Sequence, residues 1–389
     1  MSFSQNLISK ELTQQMQQWR RDIHAHPETA FEEVRTAKLV EETLLDMGLP
    51  VETGIAQTGL VAILENGAGP TIGLRADMDA LDIHELTGKP YASKYPGKMH
   101  ACGHDGHTAM LLGAARYLTE HRPFKGTIHF IFQPAEENEG GARVMVEEGL
   151  FERFPCDAVF GLHNAPRMPL GHFGIRTGPM LSASDFFEIE ITGTGAHAAY
   201  PQSGTDAIVA GSQLVLALQQ IVSRNNDPLN PLVVSVTEFR GGDTWNVLPE
   251  KVVIRGTCRC FSEEVRHQTK KRFEEICTGI QSQSGATVQL NYIEGYPATV
   301  NEEKATQYAI RAAQQIAGKE RVNTECPQRM GSEDFGFMQQ ACPGAYIVMG
   351  TSETGSEANV HNPYYDFNDN ALGLGAAYWI ELVKQFCPA

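Results

Sequence analysis

The sequence predicts an α/β fold. A larger domain, residues 1–181 and 295–389, is built on a mainly parallel sheet with helices on both faces, and an α+β domain of residues 182–294 interrupts it. Three observations carry this expectation. Up to residue 162, short runs that are apolar on both faces alternate with helical stretches, the pattern of strands covered on two sides. At Phe186–Thr192 apolar and polar residues begin to alternate, as in a strand with one wet face. Beyond Tyr296 the earlier strand and helix texture returns, so the middle segment is an insertion.

The elements follow in order. Apolar residues at helical spacing predict helices over Leu12–Arg21 and Thr29–Met47, separated by a turn at His26-Pro27. Strands are expected at Val61–Leu64, Thr71–Leu74, Thr127–Phe132 and Asp157–Leu162, with helices Thr108–Glu120 and Gly141–Gly149 between them. The insertion reads as a strand at Phe186–Thr192, a helix Asp206–Ser223, strands Leu232–Phe239 and Lys251–Cys260, a helix Glu263–Gln283 and a strand Thr287–Glu294. Helices on one face of an antiparallel sheet suit a lid or association module. The chain then closes with a helix Glu302–Ala317, an apolar run Ala345–Met349 and a helix Leu372–Phe386.

Composition narrows the function classes. Lys and Arg number 31 against 47 Asp and Glu, a net charge of −16, which sets the field of the whole chain against nucleic acid. No apolar run approaches the roughly 18 residues of a membrane span. Eight cysteines in 389 residues, none in a CxxC pair, are too sparse for a disulfide scaffold and fit a reducing compartment. The polar N-terminal segment lacks the apolar core of a signal peptide, so a cytoplasmic location is expected.

The chemistry gathers where the apolar strands end. Thr71–Leu74 leads to Asp77 and Asp79, a loop supplies His100, Cys102, His104 and His107, Thr127–Phe132 leads to Glu136-Glu137, and the fourth strand leads to His163. In an open parallel sheet ligands bind at the carboxyl ends of strands, so these loops are expected to converge. Imidazoles, one thiolate and carboxylates suit zinc, manganese, cobalt or nickel better than calcium or magnesium. Cys102 and His104 are two apart, so an extended segment would turn both to one centre. Of the neighbours Glu136 and Glu137, one carboxylate can coordinate metal while the other handles protons. Bland readings stand beside this one: a buried structural thiol at Cys102, a satisfied core residue at any single histidine, a surface-turn histidine at His197, and a solvated acidic loop at Glu136–Glu139.

Taken together, the segments Trp19–Glu28, Arg75–Leu81, His100–His107, Gln133–Glu137, Gly193–Pro201 and Met330–Phe335 resemble the M20 metallopeptidase family. They are most similar to its amidohydrolase branch of hippurate hydrolases, N-acetyl-diaminopimelate deacetylases and auxin-conjugate hydrolases, over essentially the whole chain and in family order. The resemblance implies a Zn-exopeptidase-like catalytic domain, a lid or dimerisation domain, and two divalent metal ions per subunit (Mn²⁺, Zn²⁺, Ni²⁺ or Co²⁺). It implies Cys102, His104, Glu137, His163 and His361 as metal ligands, Cys102 standing where other branches use an aspartate. Glu136 becomes the general base, and Asp77 and Asp79 support the ligands, with Asp77 at a position that holds a ligand histidine in other branches.

The same resemblance makes His197 an oxyanion donor projecting from the lid, often across a dimer, and Asn246 a substrate contact. The segment Gly193–Ala198 mimics a dinucleotide fingerprint, but Pro201 closes the supposed helix and no acidic residue follows at the required distance. Arg259 is a candidate for a bidentate contact to a substrate carboxylate or, equally, for a structural ion pair. Its neighbours Cys258 and Cys260 read as packing cysteines rather than a metal clip. The implied activity is hydrolysis of the amide bond of an N-acyl amino acid by a homodimer or tetramer. The alternatives are a dipeptidase or carboxypeptidase of the same fold, a metal-free cysteine hydrolase using Cys102, and a non-catalytic metal-binding protein.

Overall fold

Side-chain caps open several of the helices. In the computed structural model, which describes residues 7–137 and 139–389, Ser9 accepts from the backbone of Leu12 and opens the helix Lys10–Ala25. Asp206, Ser262 and Glu302 cap the helices Ala207–Gln220, Glu263–Ser284 and Glu303–Ala317 in the same way. Two compact units result. Among the described residues one comprises 7–180, 300–327 and 334–389, the other 181–299 and 328–333. Residues 295–299 and 328–333, which the sequence assigns to the larger domain, therefore group with the insertion. The strand Thr287–Tyr296 runs past the expected boundary, and Ser182 bonds the backbone of Met330 and Gly331.

Among its described residues the larger unit holds an eight-stranded sheet. The strand Thr71–Asp77 pairs in parallel with Gly126–Gln133 and with Ala158–Pro169, which pairs in parallel with Gly344–Ser352. The sheet is mixed rather than wholly parallel, because Gly59–Asn66 runs antiparallel to Gly126–Gln133 and carries a further antiparallel strand, Val51–Ile55, at the edge. That edge strand is mostly exposed, so it lacks the apolar run that marks the others. Helices cover both faces. His104–His121 is buried through its first twelve residues, as expected of a helix enclosed on all sides.

Two boundaries differ from the sequence expectation in ways that matter. The second helix starts at Val34 rather than Thr29, because Thr29 bridges to Ala80. The helix expected from Thr108 begins at His104. No helix of the described residues is long and apolar enough to cross a membrane.

The second unit is a four-stranded antiparallel sheet in the order Leu232–Arg240, Lys251–Cys260, Ala183–Thr192, Thr287–Tyr296. Burial alternates along the central strands, and Ile189, Ile191, Val252 and Ile254 pack with Leu214, Leu218 and Phe273 from the helices. Cys258 and Cys260 lie in this core as buried packing residues.

Candidate metal centre

Cys102 and His104 do not share an extended segment. The chain turns between them at Gly103, whose φ of 96° is left-handed, and His104 opens the helix. Only glycine fits this turn, since a Cβ would stand 2.4 Å from Asn164 Nδ2 and 2.6 Å from the Tyr365 hydroxyl. His163 is not at a strand end either, because Ala158–Pro169 continues past it, paired with Val348. The donors still meet. Cys102, His104 and His163 offer ligand atoms all within 4.8 Å of one another, as do Cys102, Glu137 and His361, and His104, Glu136 and Glu137. His361 is brought in by a left-handed residue, φ 62°, whose N–H donates to Ala101 O at 2.7 Å.

Hydrogen bonds fix which nitrogen of each imidazole faces the centre. His104 Nδ1 lies 2.9 Å from the carbonyl of Asp79 and 3.1 Å from its carboxylate, so Nδ1 carries the proton and Nε2 keeps a lone pair. That Nε2 is buried and has no hydrogen bond. His163 Nδ1 lies 2.7 Å from Asn164 O, which turns its Nε2 to Cys102 Sγ at 3.4 Å. His361 Nε2 sits 2.9 Å from Glu137 Oε1 without an aligned hydrogen bond. Soft sulfur, imidazole lone pairs and carboxylate oxygens aimed at one another, with an orphaned buried nitrogen among them, are a donor set that fits divalent transition-metal ions.

Burial and neighbouring charges set the ionisation of the donors. Burial, then the Glu137 carboxylate, pushes the Cys102 thiol up. Burial, then His107, holds His163 well below its ordinary value. Burial also opposes the charged form of His104, but Asp77 and Cys102 outweigh it and hold that imidazole well above. Contacts from Cys102 and Glu137 raise His361 to about 10. A bound cation would replace these protons and satisfy the same acceptors.

Asp77 and Asp79 lie behind the donors. Asp79 spans two of them, holding His104 with one oxygen and accepting from the Glu137 backbone N–H with the other at 2.9 Å. Asp77 bonds His107 Nδ1 at 2.6 Å and Arg75 at 2.7 Å, and approaches His104 Nε2 only to 3.7 Å. Several residues that sequence reasoning left without a role take part. His107 is occupied at both nitrogens, since its Nε2 accepts from Asn164 N, so it is not available as a ligand. Asn164 donates to Cys102 O and accepts from the buried Tyr365 hydroxyl. Asp334 accepts from Gln133, Arg75 and Ala142 N, holding both ends of the loop that carries Glu136-Glu137.

In the second unit, His197 lies on a two-stranded ribbon, paired with Val247, and Asn246 O accepts from Ala198 N, which brings His197 and Asn246 side by side. His197 Nδ1 accepts from Ala199 N at 3.0 Å, so the proton of the neutral ring is on Nε2, which makes the exposed edge a donor. Arg259 donates to Ser332 Oγ at 3.0 Å and lies over the Phe186 ring. Among the described residues no carboxylate forms an ion pair with it.

Comparison with known proteins places the chain among hydrolases. The chain is 42% identical over 374 residues to the IAA-amino acid hydrolase ILR1-like 4 of Arabidopsis thaliana, covering 94% of this chain and 84% of that one. It is 40% identical over 384 residues to the hippurate hydrolase of Campylobacter jejuni, covering 98% and 99%. Its structure matches a crystal structure of a dinuclear metal binding peptidase of Bacillus subtilis with a TM-score of 0.84 at 34% identity, covering 96% and 98%. The family model for peptidase family M20/M25/M40 matches residues 73–385, and the chain belongs to that family.

Proposed function

We propose that the protein hydrolyses the amide bond of N-acyl amino acids at a pair of divalent cations. The observation that carries this reading is that Cys102 belongs to two three-residue donor groups, one with His104 and His163, the other with Glu137 and His361. A donor common to both groups would let these five residues hold two cations. When bound, such ions polarise the acyl carbonyl and acidify water. Glu136, buried beside His104 and Glu137, takes the proton of the attacking water at its carboxylate and delivers it to the leaving amine. His197 Nε2–H donates to the developing oxyanion, from this chain or from the partner of a homodimer. Asn246 contacts the substrate and Arg259 pairs with its carboxylate. The relatives named for hydrolysis of IAA-amino acids and of hippurate support an acyl amino acid as substrate. Chains of this family being hydrolases, this chain is an amide hydrolase.

The contact between Cys102 and His163 is also one that a metal-free cysteine hydrolase would need. Burial raises the thiol and lowers the imidazole, and both shifts oppose the thiolate–imidazolium pair such an enzyme uses. The deciding experiment assays N-acetyl, N-benzoyl and indole-acetyl amino acids, with dipeptides as contrast, after chelation and after re-addition of Mn²⁺, Zn²⁺, Co²⁺ or Ni²⁺. Activity is expected only with cation. Glu136→Gln is expected to lower kcat by about 10²–10⁴-fold while retaining two cations per chain. Full activity in EDTA, or an unchanged rate in Glu136→Gln, refutes the reading.

A further inference from the structure

Glu33 is a buried carboxyl with no solvent exposure, and helix capping does not explain it. It sits at the N-cap of the helix Val34–Asp46, yet its side chain makes no capping bond. Glu28 does that work, accepting from Arg35 N at 3.0 Å and Thr36 N at 2.8 Å. The Glu33 side chain instead reaches two distant turns. Its Oε1 accepts from Ala135 N at 2.9 Å, and its Oε2 accepts from Thr58 Oγ1 at 2.6 Å.

Both turns have backbone that L-residues rarely adopt. Ala135 has φ 53°, and Ala56 and Gln57, just before Thr58, have φ 50° and 68°. A residue with a Cβ persists in the left-handed region only where its surroundings hold it there. Ala135 is held on both sides: its N–H by Glu33, its carbonyl by Gly141 N at 2.8 Å. The closure is tight, since a Cβ on Gly141 would stand 1.8 Å from Pro134 O. The next two residues are Glu136 and Glu137. The left-handed step at Ala135 therefore sets the direction in which both carboxylates leave the strand Gly126–Gln133.

We infer that Glu33 is a positioning residue for the reaction, fixing the Ala135 turn so that Glu136 faces the donor cluster. The inference rests on the assignment of Glu136 as base. Burying a carboxyl costs free energy unless it is hydrogen-bonded. The turn needs a side chain that reaches both partners: an amide of the same length would accept from Ala135 N and donate to Thr58 Oγ1, whose hydroxyl can rotate, and burial itself lifts the Glu33 carboxyl to about 7.

The test compares Glu33→Ala, Glu33→Asp and Glu33→Gln with Glu136→Gln. Four quantities are read: kcat, KM, cations per chain, and amide hydrogen exchange of metal-free protein in peptides covering residues 131–137. Glu33→Ala is expected to lower kcat by about 10–100-fold, as a misplacement near 1 Å does, with KM and cation content within about twofold of wild type. Exchange in those peptides rises as the turn loosens. Glu33→Gln restores kcat and protection. Glu33→Asp, too short to reach both partners, falls between and keeps the test decisive if Glu33→Ala does not fold. The inference is overturned if Glu33→Ala or Glu33→Asp keeps wild-type kcat, if kcat falls with no change in exchange, or if Glu33→Gln is as impaired as Glu33→Ala. An unchanged rate in Glu136→Gln would instead remove the base assignment, while the exchange data still report on the turn.

Discussion

Replacing Asp79 by Asn isolates the contribution of one carboxylate that holds two of the proposed metal donors. The side chain is 1% exposed, with Oδ1 3.1 Å from His104 Nδ1 and Oδ2 2.9 Å from Glu137 N. Both partners are donors, so the site needs two acceptors, and an amide offers one acceptor and one donor. If the amide oxygen faces His104, its NH₂ meets the Glu137 N–H. If it faces Glu137, the NH₂ meets the His104 Nδ1–H. The second arrangement is the better tolerated, because the Asp79 carbonyl, 2.9 Å from Nδ1, still holds the imidazole in its tautomer. The buried amide NH₂ then faces the His104 Nδ1–H with no acceptor of its own, at a cost of about 1–3 kcal/mol. Expressed as metal affinity this is roughly 10–100-fold, the usual effect of losing a group behind a ligand. Titration of chelator-stripped protein against a chromophoric competitor should show that weakening, with kcat recovering most of its wild-type value at saturating cation. A dissociation constant within about twofold of wild type would refute the argument that Asp79 orients these donors.

Two further outcomes follow from the same physics. Cys102→Ala removes the donor common to both groups and should leave fewer than two cations per chain by elemental analysis, whereas Cys102→Asp, with a carboxylate that can also bridge, should retain two; equal loss in both variants counts against a shared ligand. Away from the centre, burial opposes the charged form of His24, but hydrogen bonds to Asp105 and Glu85 outweigh it and raise the imidazole to about 9. A group raised above its unfolded value stabilises fully below about pH 6.5, and that stability is lost as pH rises through about 9. Denaturant unfolding at pH 7 and pH 10 should show wild type losing about 3 kcal/mol more than His24→Gln over this interval, and equal losses would show that His24 is not the group responsible.

How much of this was legible in the sequence depends on how far each contact reaches. Buried strands such as Thr71–Asp77 announce themselves because both faces are apolar, and the residue types that follow them reveal a donor set before any geometry is known. Val51–Ile55 does not, being a mostly exposed edge, nor do Phe173–Gly174 and Val322–Asn323, which are too short to have a period. A mixed sheet reads as a mainly parallel one because the apolar run within Gly59–Asn66 does not reveal its direction, which only its antiparallel pairing with Gly126–Gln133 shows. The run His104-Asp105-Gly106-His107 hid a helix start because polar residues usually mark a loop, whereas here each is spent on a specific buried partner.

Contacts that lie far apart in sequence fade from view altogether, and the centre depends on them most. Cys102 and His104 are brought together, but not by the alternation of an extended segment. Alternation would have placed their side chains on one face of a strand; a left-handed glycine does so by reversing the chain into a helix, and that glycine is required by Asn164 and Tyr365, 61 and 262 residues beyond it. Glu33 lies 102 residues before the amide it holds. Nothing in the periodicity around Glu33 distinguishes it from the exposed acids of neighbouring turns, because what sets it apart is burial, and burial is a property of the whole fold. Residue type therefore locates the chemistry of the centre in the sequence. On the proposed mechanism, which carboxylate takes the proton depends on groups that only the folded chain brings into reach, and variants of those groups are the more discriminating probes of how the site works.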